Sequence, residues 1–164
     1  MSDLEERIEF QNAIEKFWQE FQAATGDPGE WIKMYVFGNS PELSEELLAL
    51  ILEGKKTATA DMLTVFETKG EALPKPGDLN LIMNSKAEPS AVIRTVSVEQ
   101  KKFSEVDGGF ARDEGEGDLS LEYWRKVHKV YYEKWLGANQ KEFGEDLLLI
   151  CERFELLYPL DNIA

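Results

Sequence analysis

Cysteine and histidine are nearly missing from this chain, which has only Cys151 and His128 in 164 residues. One cysteine closes no internal disulfide, and the two residues together fall short of the sets that hold structural zinc. Neither a metal nor a cofactor is therefore expected. Long apolar runs are missing too: no stretch approaches the roughly 18 residues needed to span a bilayer, and no basic start leads into an apolar segment. The chain thus reads as cytoplasmic, with no membrane partner. Positive charge is scarce, with 18 Lys and Arg against 32 Asp and Glu, a formal net charge of -14. That is the wrong sign for gripping long DNA or RNA through many phosphates. Screening over about 8 Å still permits a local basic pocket for one small anionic or neutral polar ligand. No GxGxxG, GxxxxGK[ST], HExxH or GxSxG occurs. GKKT at 54–57 looks like the tail of a phosphate loop, but it leaves a helix instead of opening one.

What is present is enough apolar material for a core: 43% hydrophobic residues, including nine Phe, five Tyr and four Trp. Residues 1–164 are expected to form one domain, with 1–27 as an N-terminal helical extension. Leu4, Ile8, Ile14, Phe17, Trp18 and Phe21 recur at helical spacing before Gly26 and Pro28. WIKMYVF at 31–37 reads as a strand. A second helix is punctuated by Ser40, Pro41 and early glutamates, with Gly54 at its exit. Thr57–Phe66 favours a strand, LPKPGD at 73–78 a tight turn, and 78–84 and 91–98 two further strands. The glycine-dense stretch DGGFARDEGEGD at 107–118 reads as a loop before a helix over about 119–135. LLLICERFELLY at 147–158 reads as a central strand. The class is α+β, a curved sheet or small β-barrel decorated by helices.

Chemistry concentrates at EGKKTATAD, 53–61. A lysine beside a desolvated hydroxyl can act as its base when its affinity for protons is pulled down. If a strand begins at Thr57, Thr57, Thr59 and Asp61 share one face, and Lys56 reaches Thr59 only if the chain bends at the entry. The alternative is a solvated lysine pair, Lys55 and Lys56, favouring a helix C-terminus. Glu114 and Glu116 stand among glycines that can aim a carboxylate into a cleft, or they belong to an ordinary acidic loop. Arg94, alone in AVIRTVSV, either pairs with a carboxylate or faces a ligand. His128 and Trp124 lie on one apolar helical stripe, where a half-buried histidine and a core tryptophan are the plain reading and base stacking the functional one. Cys151 reads as core.

The segments YVFGNSPELSEELLALILEGKKTATA, LPKPGD, AVIRTVSVEQKKFSEVD and FARDEGEGDLSLEYWRKVH resemble the ASCH domain family over roughly 31–158. The resemblance implies a PUA-like barrel, here with an extra N-terminal helix, and RNA-linked roles: RNA binding, a ribonuclease, or hydrolysis of the acetyl amide of N4-acetylcytidine by short members. Matched by motif, the lysine and threonine of those hydrolases fall on Lys56 and Thr59, and their glutamate on Glu116 or Glu114. The implied function is a nucleoside-type amidohydrolase with catalytic Lys56, Thr59, Glu116 and Glu114. A non-catalytic RNA or modified-base module is the alternative, and a ribonuclease the third reading. Ligand-binding candidates are Lys55, Thr57, Asp61, Arg94, Trp124 and His128. One departure stands out. The short hydrolases place an arginine where this chain has Asp61, and Arg94 is the candidate replacement.

Overall fold

Ser2 opens the first helix through a capping box, its hydroxyl accepting from Glu5 N while the Glu5 carboxylate accepts from Ser2 N at 2.8 Å. The resulting α1 runs Asp3–Thr25 and stops at Gly26 in the left-handed region. In this computed structural model residues 1–160 are described. After α1 come β1 (Trp31–Val36), α2 (Pro41–Leu52), β2 (Ala58–Met62), α3 (Leu63–Lys69), β3 (Leu79–Met83) and β4 (Pro89–Lys102). A 3-10 turn at Phe103–Glu105 leads to α4 (Gly108–Glu114), α5 (Leu121–Ala138) and β5 (Leu148–Tyr158). The strands form an open mixed sheet in the order β1-β3-β4-β5-β2. β1 runs parallel to β3, while β3 with β4 and β2 with β5 are antiparallel. The α+β class with an added N-terminal helix is what is found, and β5 lies inside the sheet.

Two compact units share these elements. Of the described residues, the first comprises 1–54, 77–94 and 155–160. Its core sets Ile14, Trp18 and Phe21 of α1 against Leu79, Leu81 and Val92 of β3 and β4. Burying such side chains is worth roughly 1.5–3 kcal/mol each, so α1 completes this core instead of trailing from it. The Trp18 indole and the Gln22 amide both donate to Gly29 O at 3.1 Å, closing the chain after the helix.

The second unit comprises 55–76 and 95–154. Its core joins Ala58 and Met62 of β2, Leu149 and Cys151 of β5, Phe110 of α4, and Trp124, Tyr132 and Leu136 of α5. Two local expectations change here. The strand expected over 57–66 ends at Met62, and the chain turns into α3, which buries Val65 and ends at Gly70. The loop expected over 107–118 contains α4. Asp107 caps it by accepting from Phe110 N at 2.9 Å, and burial of Phe110 and Ala111 outweighs the poor helix propensity of Gly108 and Gly109.

Candidate functional site

Within the second unit the lysine-hydroxyl segment docks on the C-terminal end of α4. Thr57 N and Thr57 Oγ1 both donate to Asp113 O, at 2.7 and 3.3 Å. Asp113 in turn accepts from Arg153 Nε at 3.1 Å. Gly115 ends α4 with φ of 76°, and a Cβ there would stand 2.5 Å from Lys55 O. Only glycine permits both the left-handed turn and this approach.

Lys56 is 2% exposed, and its Nζ donates to Ala58 O at 2.9 Å, to Glu114 O at 3.4 Å and to Glu116 Oε2 at 2.9 Å. Two carbonyls and a carboxylate match the three N–H groups of an ammonium. The register explains the path of the side chain. Phe154 N donates to Thr57 O, so Thr59 and Glu152 form the next hydrogen-bonded pair of the β2–β5 ladder, and Ala58 O points away from β5, off the free edge of β2. Lys56 therefore curls round that edge. The carbonyl that Nζ reaches belongs to the peptide that links Ala58 to Thr59.

The two glutamates of the glycine-rich segment part company at Gly115. Glu116 remains 23% exposed and faces Lys56. Glu114, 2% exposed, turns inward, and its Oε2 accepts from Trp124 Nε1 at 2.9 Å and meets His128 Nε2 at 3.0 Å. His128 Nδ1 lies 2.8 Å from Trp124 O, a carbonyl that can only accept, so Nδ1 carries a proton. The second contact then needs a further proton between Nε2 and the carboxylate. Burial pushes the Glu114 carboxyl up, but the Lys56 charge and the His128 hydrogen bond outweigh it and the net shift is down. Burial pushes His128 down, and the Glu114 hydrogen bond and charge carry it up overall. The pair is imidazolium and carboxylate. The Trp124 and His128 rings stack at 4.0 Å, fixing both donors.

The remaining expected residues divide. Lys55 is exposed beside this cluster. Asp61 accepts from Met62 N at 2.8 Å at the start of α3, and burial raises its carboxyl. Arg94 lies in the first unit, where its guanidinium grips Glu155 (Nε to Oε1, 2.8 Å) at the rim of a surface cavity bordered by Asp27, Glu30 and Asp78. The structure thus brings together Lys56, Glu116, Glu114, Trp124 and His128, with Thr57 and Thr59 in the adjoining chain.

One polar pair escaped the sequence reading. Thr95 Oγ1 donates to Glu152 Oε1 at 2.6 Å, with Thr95 1% and Glu152 7% exposed. A signal existed: Glu152 and Arg153 interrupt an apolar strand, and period 2 sends Glu152 to the face opposite Cys151.

The family profile of the ASCH domain matches residues 33–158. The chain belongs to the ASCH domain family. Its fold agrees with the crystal structure of an ASCH domain from Lactobacillus crispatus JV V101, at 27% identity and TM-score 0.81, covering 92% of this chain and 94% of that one. A crystal structure of a protein from Enterococcus faecalis V583 is similar at 32% identity and TM-score 0.80, covering 90% and 91%. No curated protein matches. Among the described residues of this ASCH chain, no helix is long and apolar enough to cross a membrane.

Proposed function

We propose that this ASCH domain hydrolyses the acyl amide on the exocyclic nitrogen of a cytosine-type nucleoside. The observation that carries the reading is the buried Lys56 ammonium 2.9 Å from the half-buried Glu116 carboxylate, with Nζ also on the carbonyl of the peptide that leads into Thr59. With Nζ among three acceptors, Lys56 serves as a fixed positive charge and not as a base. It orients Glu116 and favours the oxyanion that forms when the acyl carbon is attacked. Thr59 Oγ1 adds to that carbon as its proton passes to Glu116. Collapse breaks the C–N bond and returns the proton to the departing amine, and water then releases the acyl group from Thr59 as the free acid. Glu114, held by Trp124 and His128, positions the end of α4 and hence Glu116.

The test is to incubate the protein with N4-acetylcytidine and follow cytidine release by chromatography. Turnover abolished in Glu116→Gln and Thr59→Ala supports the reading. Absent turnover, or turnover that survives both substitutions, overturns it.

A second reading is a binding module for a modified base or short RNA, in keeping with the association of ASCH domains with RNA. The three acceptors round Lys56 favour it, since a saturated ammonium can serve binding alone. Retained ligand without product, with affinity falling steeply as salt rises, would select it.

A further inference from the structure

Helix α5 carries two apolar faces, and among the described residues one of them stays open to solvent. Trp124, Tyr132 and Leu136 are buried in the core of the second unit. Tyr123, Val127 and Val130 stand on a different face and are 38%, 39% and 65% exposed. With Lys134 they occupy positions i, i+4, i+7 and i+11, the alternating four-and-three spacing of a helix–helix seam, over about 16 Å of helix. One exposed apolar side chain needs no explanation, but three in a single seam row mark a surface that packs on something. Lys126 and Glu133, both exposed, lie along one flank of that seam.

We infer that this face of α5 docks on α5 of a second copy of the chain, the two helices running antiparallel. The order of residues along the seam selects both the partner and the direction. An antiparallel pair sets Val127 against Val130 of the second copy and Tyr123 against its Lys134, and two-fold symmetry makes each contact twice. The lysine stem lies along the seam with its ammonium at the tyrosine ring. On the flank, Lys126 falls beside Glu133 of the second copy and Glu133 beside its Lys126, so one pair of residues supplies two contacts of opposite charge. A parallel pair in register would instead set Lys134 against Lys134 at the seam. Within its own helix Glu133 meets Lys129 at 3.7 Å, an exposed contact that water screens and that a second lysine can share. Because α5 is already folded on its own unit, association orders no new helix. Four seam positions a side still make a small contact, below the roughly 1,200 Å² of a stable complex. A reversible dimer, filled at high concentration, is the expected state, and it is independent of the reaction proposed above.

Sedimentation equilibrium of the full chain tests this at about 0.15 M salt, where screening over about 8 Å removes the long-range repulsion between two chains of net charge -14. The mass should rise from 18.7 kDa toward twice that value between about 10 μM and 1 mM. Val130→Glu, at an exposed position, should hold the chain at 18.7 kDa with an unchanged circular dichroism spectrum. Lys126→Glu and Glu133→Lys should each weaken self-association by about tenfold or more, because each sets like charges across the pair. The two variants mixed in equal amounts should associate again, as should the double variant, whose net charge equals that of wild type. In both cases every flank contact once more joins opposite charges. A mass that stays at 18.7 kDa up to about 1 mM overturns the inference and leaves this face to a partner of other chemistry. Association that survives Val130→Glu overturns it too, since another surface then joins the copies. Single-charge variants that stay monomeric when mixed refute the antiparallel pairing.

Discussion

Replacing Glu114 by Gln should cost stability in a way that depends on pH. Glu114 is buried, accepts from the Trp124 indole and the His128 imidazolium, and lies in the field of Lys56. A Gln side chain retains one acceptor oxygen for two donors and removes the anion that balances His128. Leaving a buried donor unsatisfied costs about 1–3 kcal/mol, and breaking a buried ion pair about 3–5. The expected loss near pH 6 is about 3 kcal/mol, equivalent to about 10 °C for a chain of this size.

The pH dependence follows from the directions of the two shifts. His128 is raised in the folded protein, with burial opposing and the Glu114 hydrogen bond and charge prevailing. Its contribution is therefore complete below the unfolded histidine value of about 6.5 and is lost as pH climbs through the folded value. Glu114 is lowered overall, against burial, by Lys56 and His128. Its contribution is present above the unfolded carboxylate value of about 4.3 and is lost as pH falls through the folded one. The pair stabilises most between those unfolded values and fades on the alkaline side. His128 is the only histidine, so the slope between pH 6.5 and 8.5 is dominated by this residue, at about 1.4 kcal/mol for each unit separating its folded and unfolded values. Glu116 and Asp61 also bear on this region but remain in the variant. Urea unfolding followed by tryptophan fluorescence at pH 5.5, 6.5, 7.5 and 8.5 measures the effect. Wild type should lose stability toward pH 8.5 and Glu114→Gln should not. Parallel curves for the two proteins would refute the ion-pair assignment.

Gly115→Ala should lower stability by at least about 2 kcal/mol and reduce turnover, because a positive φ is combined with a Cβ 2.5 Å from Lys55 O. Gly70→Ala, also at positive φ but with open space around it, should cost only about 1 kcal/mol and leave turnover intact, as thermal melts and the hydrolysis assay would show. The Cys151 thiol is pushed up to about 12, chiefly by burial, so a thiol reagent at pH 8 should label the unfolded chain within minutes and the native one only at its unfolding rate. Arg94→Ala should cost under about 1 kcal/mol by denaturant titration, since Arg94 and Glu155 are 43% and 45% exposed and screened by water. A loss of several kcal/mol would show that this pair is more than a surface contact.

The elements whose local signals agree with their burial were legible in the sequence. For α2 the cap at Ser40, the proline at its first position and the buried Leu47, Leu48 and Ile51 all point the same way. α3 and α4 were not legible, because local preference there opposes tertiary burial. Thr64 and Val65 favour a strand, and Gly108 and Gly109 resist a helix, yet each segment buries its apolar side chains only as a helical turn. The site divides along the same line. The motif marks Lys56 and Thr59, but strand periodicity alone sends them to opposite faces. Lys56 nevertheless reaches the peptide that links Ala58 to Thr59, because β2 is an edge strand whose Ala58 carbonyl needs a donor and the Lys56 side chain is long enough to reach round and supply it. Glu114 and Glu116 look equivalent in a glycine-rich string until Gly115 takes the left-handed conformation, turning one carboxylate into the core and leaving the other at the surface. Glu152 is different, since an acidic residue inside an apolar strand already conflicts with its surroundings. Such a conflict, more than any motif, marks where a strand has been shaped by something other than packing.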